Sequence, residues 1–220
     1  MNDSQPVSTR SSTVEEWTSA LAQSTGSPGG GAGTGLTLAV TASLMSMVAG
    51  YTEADGDGLA EVSRIRARAQ SLREAALRLA DEDASASEAF GAAFRLDPGP
   101  GREEAIRRAS LNAAKSSAAL GERALGALDD LAWLAANGNP ALVSDVVVAF
   151  GALRAALAGA RTNVSFDLAS LRSGGKTLEE IQDQHPDLWA TVQQFDEALA
   201  RIDTLTAEID HRAAPTDTVG

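Results

Sequence analysis

The chain has 220 residues, long enough to bury one substantial core. Thirty acidic residues outweigh eighteen basic ones, for a formal net charge of −12, which argues against nucleic acid and anionic membrane surfaces as partners. There is no cysteine, and the two histidines, His185 and His211, lie in the last fifth. Disulfides, thiolate nucleophiles, cysteine-ligated metals, multi-histidine metal sites and a serine–histidine triad in the main body are therefore excluded. Alanine occupies 43 positions and aromatics only 4%, the composition of closely packed helices. Chemistry must come from carboxylates, amides, hydroxyls, arginines and backbone.

Residues 1–12 are polar and serine-rich with no apolar core, so they read as a disordered lead-in and not as a signal peptide. Thr13-Val14-Glu15-Glu16 is a capping box that opens a short helix to about Gln23. The uncharged stretch Trp17–Thr52 has no basic flank and contains a proline and many small residues. It reads as a buried helix of a cytoplasmic all-helical protein and not as a membrane span.

Within it a helix is expected over Gly31–Gly50. Gly31, Gly35, Ala39 and Ser43 recur every four residues and form a smooth groove, beside an apolar row of Ala32, Leu36, Val40, Leu44 and Val48. A third helix is expected over Leu59–Leu96, with an inward stripe of Val62, Ile65, Ala69, Leu72, Ala76 and Leu79. Asp97-Pro98-Gly99-Pro100-Gly101 ends it. A fourth covers Arg102–Asn137, with Ile106, Ala113, Leu120, Leu128 and Leu131 inward. Asn139-Pro140 restarts the chain as N-cap and first helical residue of a fifth helix reaching Leu171. Thr177-Leu178-Glu179-Glu180 is a second capping box. After His185-Pro186 the last helix carries a seam of Leu188, Val192, Phe195, Leu199, Ile202 and Ile209.

The fold expected is all-α: an up-and-down bundle of long helices around a small-residue core helix. One helical domain spans residues 13–175. An acidic helical extension, 176–220, packs on it; it holds three basic and ten acidic residues. No strand pattern and no fixed-period repeat is present.

Four features can carry chemistry. Pro28-Gly29-Gly30-Gly31 precedes a helix, where backbone N–H groups are free to meet an anion or a polar heterocycle; the structural alternative is a sharp turn between packed helices. In Asp81-Glu82-Asp83, Asp83 falls on the apolar face, Glu82 at its edge and Asp81 away from it. A carboxyl on a buried face has a raised pKa and suits acid–base work, unless an arginine of a neighbouring helix pairs with it. Asn139, Ser144 and Asp145 form the third group, with Asp145 alone in an apolar run. Asn163 is the fourth. It lies eighteen residues beyond Asp145 on the same face, about 27 Å away along a straight helix. The two reach one pocket only if the helix breaks or a second subunit completes the site; otherwise Asn163 is structural.

In order and spacing these stretches resemble the cyclodeaminase/methenyltetrahydrofolate cyclohydrolase family. The matching segments are Ser27-Pro28-Gly29-Gly30-Gly31, Leu79-Ala80-Asp81-Glu82-Asp83-Ala84 continuing to Phe94-Arg95-Leu96, Gly138-Asn139-Pro140 with Val143-Ser144-Asp145, and Asn163-Val164 ahead of Asp167-Leu168-Ala169-Ser170-Leu171. The chain departs from the family pattern at Tyr51–Asp57, acidic where a lysine is usual, at Gly33-Thr34-Gly35, at Ser87 in place of phenylalanine, and at Ser116-Ser117, where proline is common.

The resemblance implies an all-helical homodimer that binds a tetrahydrofolate derivative as substrate, with no cofactor or metal. The reaction implied is hydrolysis of 5,10-methenyltetrahydrofolate or ring closure of 5-formiminotetrahydrofolate with loss of ammonia. On this reading Asp83 is the base and Asp145 its electrostatic partner. Pro28, Gly29, Gly30, Gly31, Glu82, Asn139, Ser144 and Asn163 contact the substrate. Two other readings stay open: the same fold acting on another amidine, imine or cyclisable molecule, and a non-enzymatic helical dimer that binds a protein partner.

Overall fold

The computed structural model describes residues 7–24 and 26–213. Among the described residues there are seven α-helices and no strand: α1 Val14–Leu21, α2 Gly30–Gly50, α3 Asp57–Phe94, α4 Pro100–Asn137, α5 Val143–Ser170, α6 Leu178–Gln184 and α7 Pro186–Ala213. Short 3₁₀ turns, Pro140–Leu142 and Leu171–Gly174, bracket α5.

Both capping boxes form. Thr13 accepts from the Glu16 N–H at 3.2 Å while the Glu16 carboxylate takes the Thr13 N–H at 2.8 Å. Thr177 and Glu180 repeat the exchange at 3.2 and 2.8 Å. Asn139 caps the turn before α5, its Oδ1 accepting from the Ala141 N–H at 3.0 Å.

The uncharged helix α2 is the inner element and packs against α3, α4 and α5. By length and apolarity alone α2 and the run Pro140–Ser170 are both long enough to cross a membrane; 56% of the α2 window is buried among the other helices. The small-residue groove works as expected through Ala39. A Cβ on Gly35 would come within 2.7 Å of the Ala80 Cβ and 3.1 Å of the Ala76 carbonyl oxygen, so α2 and α3 meet backbone to backbone here. Ser43 is exposed and lies outside this contact. The neighbouring row is corrected at one position. Ala32 and Val48 are buried and Leu36 and Leu44 half-buried, whereas Val40 is 47% exposed; Leu38 and Met45, outside the row, are buried too, because α3, α4 and α5 together cover a broader face than one four-residue row.

The α3 stripe Val62, Ile65, Ala69, Ala76 and Leu79 is buried, with Leu72 half-buried. On α4, Leu120, Leu128 and Leu131 are buried, whereas Ile106 and Ala113 are only half-buried. The seam of α7 closes onto α4 and α5, with Phe195, Ala198, Ile202 and Ile209 buried and Leu188, Val192 and Leu199 at its margin. Arg154–Asp203 and Arg161–Asp196 pairs tie α5 to α7 along the rim, and Arg201–Asp129 ties α7 to α4.

Of the lead-in, residues 1–6 lie outside the described residues. Ser8 and Thr9 are held on Asp81, with Ser8 Oγ donating to Oδ2 at 2.9 Å and the Thr9 N–H to Oδ1 at 2.5 Å. The Trp17 indole N–H donates to Thr9 Oγ1 at 3.0 Å and closes the strap. The turn into α2 is pinned to α3 in the same region by Ser27 Oγ, which donates to the Ala84 carbonyl at 3.0 Å.

The helices α2 and α5 run antiparallel. The start of α2 meets the last turns of α5 around one cavity, and its end meets the turn before α5, where Asn139 Nδ2 donates to the Tyr51 carbonyl at 3.1 Å and the Asn139 N–H to Thr52 Oγ1 at 3.2 Å.

Candidate active site

A cavity of 360 Å³ opens at the first of these ends. Gly26, Gly30 and Gly31 supply one wall, and Asp83, Ser87, Phe90 and Gly91 of α3 a second. Ala113 and Ser117 of α4 face Asn163, Phe166 and Asp167 of α5 across the remainder.

Asp83 is 7% exposed. It reaches the cavity because α3 presents its apolar stripe to α2, and one turn past Leu79 that stripe runs on into the carboxyl. The N-cap of α2 is Gly29, which has no side chain to satisfy the first N–H groups. Asp83 takes that place from outside the helix: its carboxyl sits over Gly31, where a Cβ would collide with it. Burial pushes the Asp83 carboxyl above the ordinary carboxylate range, while the Ala32 N–H and the Ser87 hydroxyl act on it as donors and pull the other way.

The second carboxyl of the cavity is Asp167. Burial, and after it the charge of Asp83, push it up to about 7. No hydrogen-bond donor reaches its carboxyl among the described residues. The two carboxyls thus share one cavity, with donors among the described residues arranged on one of them only.

The residues singled out in the sequence divide into two sets. Asp83, Gly30, Gly31 and Asn163 line this cavity. Pro28 is buried in the turn beneath it, and Gly29 lies near Ser87 as the N-cap of α2. Glu82 faces away, exposed and paired with Arg78 at 2.6 Å, because it sits one residue off the buried stripe.

Asn139, Ser144 and Asp145 are at the far end of the bundle. Asn139 borders a separate cavity of 260 Å³ with Gly138, Pro140 and Val143. Ser144 is exposed and Asp145 half-buried, and neither lines the Asp83 cavity. Because α5 runs unbroken from Val143 to Ser170, Asp145 stays about 27 Å from Asn163 within the chain. The expectation that one pocket reaches both Asp83 and Asp145 is therefore not met inside a single protomer.

Sequence reasoning gave no site role to Asp167, Ser87, Ser117, Phe90 or Phe166, although Asp167 lies in a family-matching segment and Ser87 and Ser117 stand at departures from the family pattern. A usable signal existed for two of them: Asp167 is one turn after Asn163 and Ser87 one turn after Asp83, so each shares its neighbour's helix face. Ser117 was marked only as a departure from the family pattern; on α4 it is buried next to Ala118.

The family model described as formiminotransferase-cyclodeaminase matches residues 13–185. No curated protein sequence matches the chain. Among solved structures, the fold is similar to that of formiminotetrahydrofolate cyclodeaminase from Thermotoga maritima, with a TM-score of 0.77 and 21% identity over 93% of this chain and 96% of that one. The matched segment holds the Gly-rich turn, both cavity carboxyls and Asn163, and the chain belongs to the formiminotransferase-cyclodeaminase family.

Proposed function

We propose that this chain is a folate one-carbon enzyme that acts on the C–N bond of a cyclic amidine. It either hydrolyses 5,10-methenyltetrahydrofolate to 10-formyltetrahydrofolate or closes the ring of 5-formiminotetrahydrofolate with loss of ammonia. The observation that carries this reading is Asp83: a buried carboxyl held over a glycine-lined helix start, inside a cavity of 360 Å³ that has room for a fused nitrogen ring. Family membership supplies the substrate class.

In the hydrolytic direction the amidinium carbon is already electrophilic, so the protein need only place water and receive a proton. The water oxygen bonds to that carbon as Asp83 takes its proton, which gives a neutral carbinolamine. The C–N bond then breaks, the electron pair going to the ring nitrogen, which must be protonated as it departs. The net reaction releases the proton held by Asp83 to solvent. Phe90 and Phe166, on opposite helices, offer apolar faces to a planar ring, and Asn163 offers amide donors and acceptors to its edge.

The chain is further proposed to work as a cytoplasmic homodimer. Its exposed α5 stripe carries Val148, 61% exposed, and Phe166, 74% exposed. A second copy placed over that stripe would remove both from water.

Ser87 and Ser117 favour one second reading, in which the same carboxyl acts on a different amidine or imine. They make the cavity wall polar, Ser87 where the resemblance leads one to expect phenylalanine and Ser117 within the pair where proline is common. Following methenyl-folate absorbance in the ultraviolet, and ammonia release from formiminotetrahydrofolate, decides between them. Turnover of either compound supports the folate reading. No turnover, together with no heat on titration with tetrahydrofolates, contradicts it and favours the other substrate.

A further inference from the structure

We propose that Asp167 is a second catalytic residue of this site, the acid that delivers the proton to the departing nitrogen. This rests on the reading of the cavity as one that acts on an amidine C–N bond. Asp167 and Asp83 come from different helices, α5 and α3, and line the same cavity. A planar ring held there would occupy a space that both carboxyls line.

Their surroundings divide the labour. Asp83 has the Ala32 N–H and the Ser87 hydroxyl, both of which favour its ionised form. Asp167 has neither, and the Asp83 charge faces it. The other described groups that line the cavity carry no charge: Gly26 in the turn, Gly30 and Gly31 from α2, Ala113 and Ser117 from α4, Ser87, Phe90 and Gly91 from α3, Asn163 and Phe166 from α5. Among the described residues no cationic group lines the cavity; the Arg95 guanidinium lies beyond that lining, 3.5 Å from where a Cβ on Gly91 would begin. Burial and the Asp83 charge therefore favour the protonated form of Asp167.

The step balances. As the carbinolamine collapses, the C–N electron pair moves to the ring nitrogen, which takes the Asp167 proton. The carbinolamine hydroxyl then becomes a carbonyl and its proton returns to Asp167. Asp83 has already taken the first proton, from water, and loses it to solvent, so both carboxyls end as they began.

The test uses the full-length protein and the variants Asp167→Asn and Asp167→Glu. With methenyl- or formimino-folate as substrate, wild-type turnover should fall as pH rises through about 7. Asp167→Asn should lose on the order of a hundredfold or more in kcat together with that limb, and Asp167→Glu should recover part of both. An Asp167→Asn protein with kcat within a few-fold of wild type, or with the same basic limb, overturns the proposal and leaves the amidine reading standing.

A titration of the carboxyls by ¹³C NMR on aspartate-labelled protein tests the same point without turnover. Asp167 should be protonated at pH 6 and lose its proton near pH 7. An Asp167 already ionised at pH 6 overturns the assignment even if no folate is ever processed.

Discussion

The carboxyl of Asp83 occupies the space where a side chain on Gly31 would begin. That contact joins the small-residue helix to the chemistry, since the glycine lets α2 point its first N–H groups at an acid supplied by α3. Gly31→Ala should drive the two apart. Overpacking of this kind costs about 1–3 kcal/mol. Urea unfolding should show that loss, and turnover should fall much further than the loss of stability explains. An Ala variant with wild-type kinetics would mean the contact is not needed.

The raised Asp167 carboxyl has a consequence for stability. Its native value of about 7 lies above the ordinary 3.8, so between those pH values the folded chain holds a proton that the unfolded chain has released. Stability therefore falls as pH rises through that window, and the penalty is complete above about 7. Asp167→Asn should raise the urea midpoint at pH 8 and leave it unchanged below pH 3.8, where both states are protonated. A variant less stable than wild type at pH 8 would contradict this.

Asp145 lies on α5 about 27 Å from the Asn163 end, whereas Asp167 is inside the cavity. Asp145→Asn is therefore expected to change kcat by less than tenfold, in contrast to Asp167→Asn. Steady-state rates of the two variants side by side provide the check, and a larger loss at Asp145 would show that a second copy brings it to the site.

Val148 is exposed in the protomer, so Val148→Glu should alter the stability of a lone chain by no more than about 0.5 kcal/mol. If a second copy covers α5, the same change should halve the mass measured by light scattering after size exclusion. An unchanged mass would remove this face from the dimer.

Much of the bundle was legible because its signals are local. Capping boxes, the Asn-Pro turn that leads into α5 and the Pro-Gly break after α3 act within a few residues of themselves, and the 3.6-residue stripe placed Asp83 on the buried face. The cavity was less legible because it is assembled between helices. Asp83 meets Gly31 across 52 residues and shares the cavity with Asp167 across 84. Motif spacing ranks residues along a chain and says nothing of which end of an antiparallel pair they reach. Asp145 and Asn163 share a face of α5, which made both attractive, and the unbroken helix then sends them to opposite ends. Val40 shows the same limit: period alone does not say how many neighbours surround a core helix.

The most direct test of the account is the rate at which Asp83→Asn consumes methenyl-tetrahydrofolate, measured by loss of its ultraviolet absorbance with circular dichroism and thermal melting alongside. Asparagine keeps the shape and a hydrogen-bond acceptor toward Ala32, so the fold and melting temperature should be preserved while enzymatic turnover disappears. A correctly folded Asp83→Asn protein with wild-type kcat/KM would contradict it.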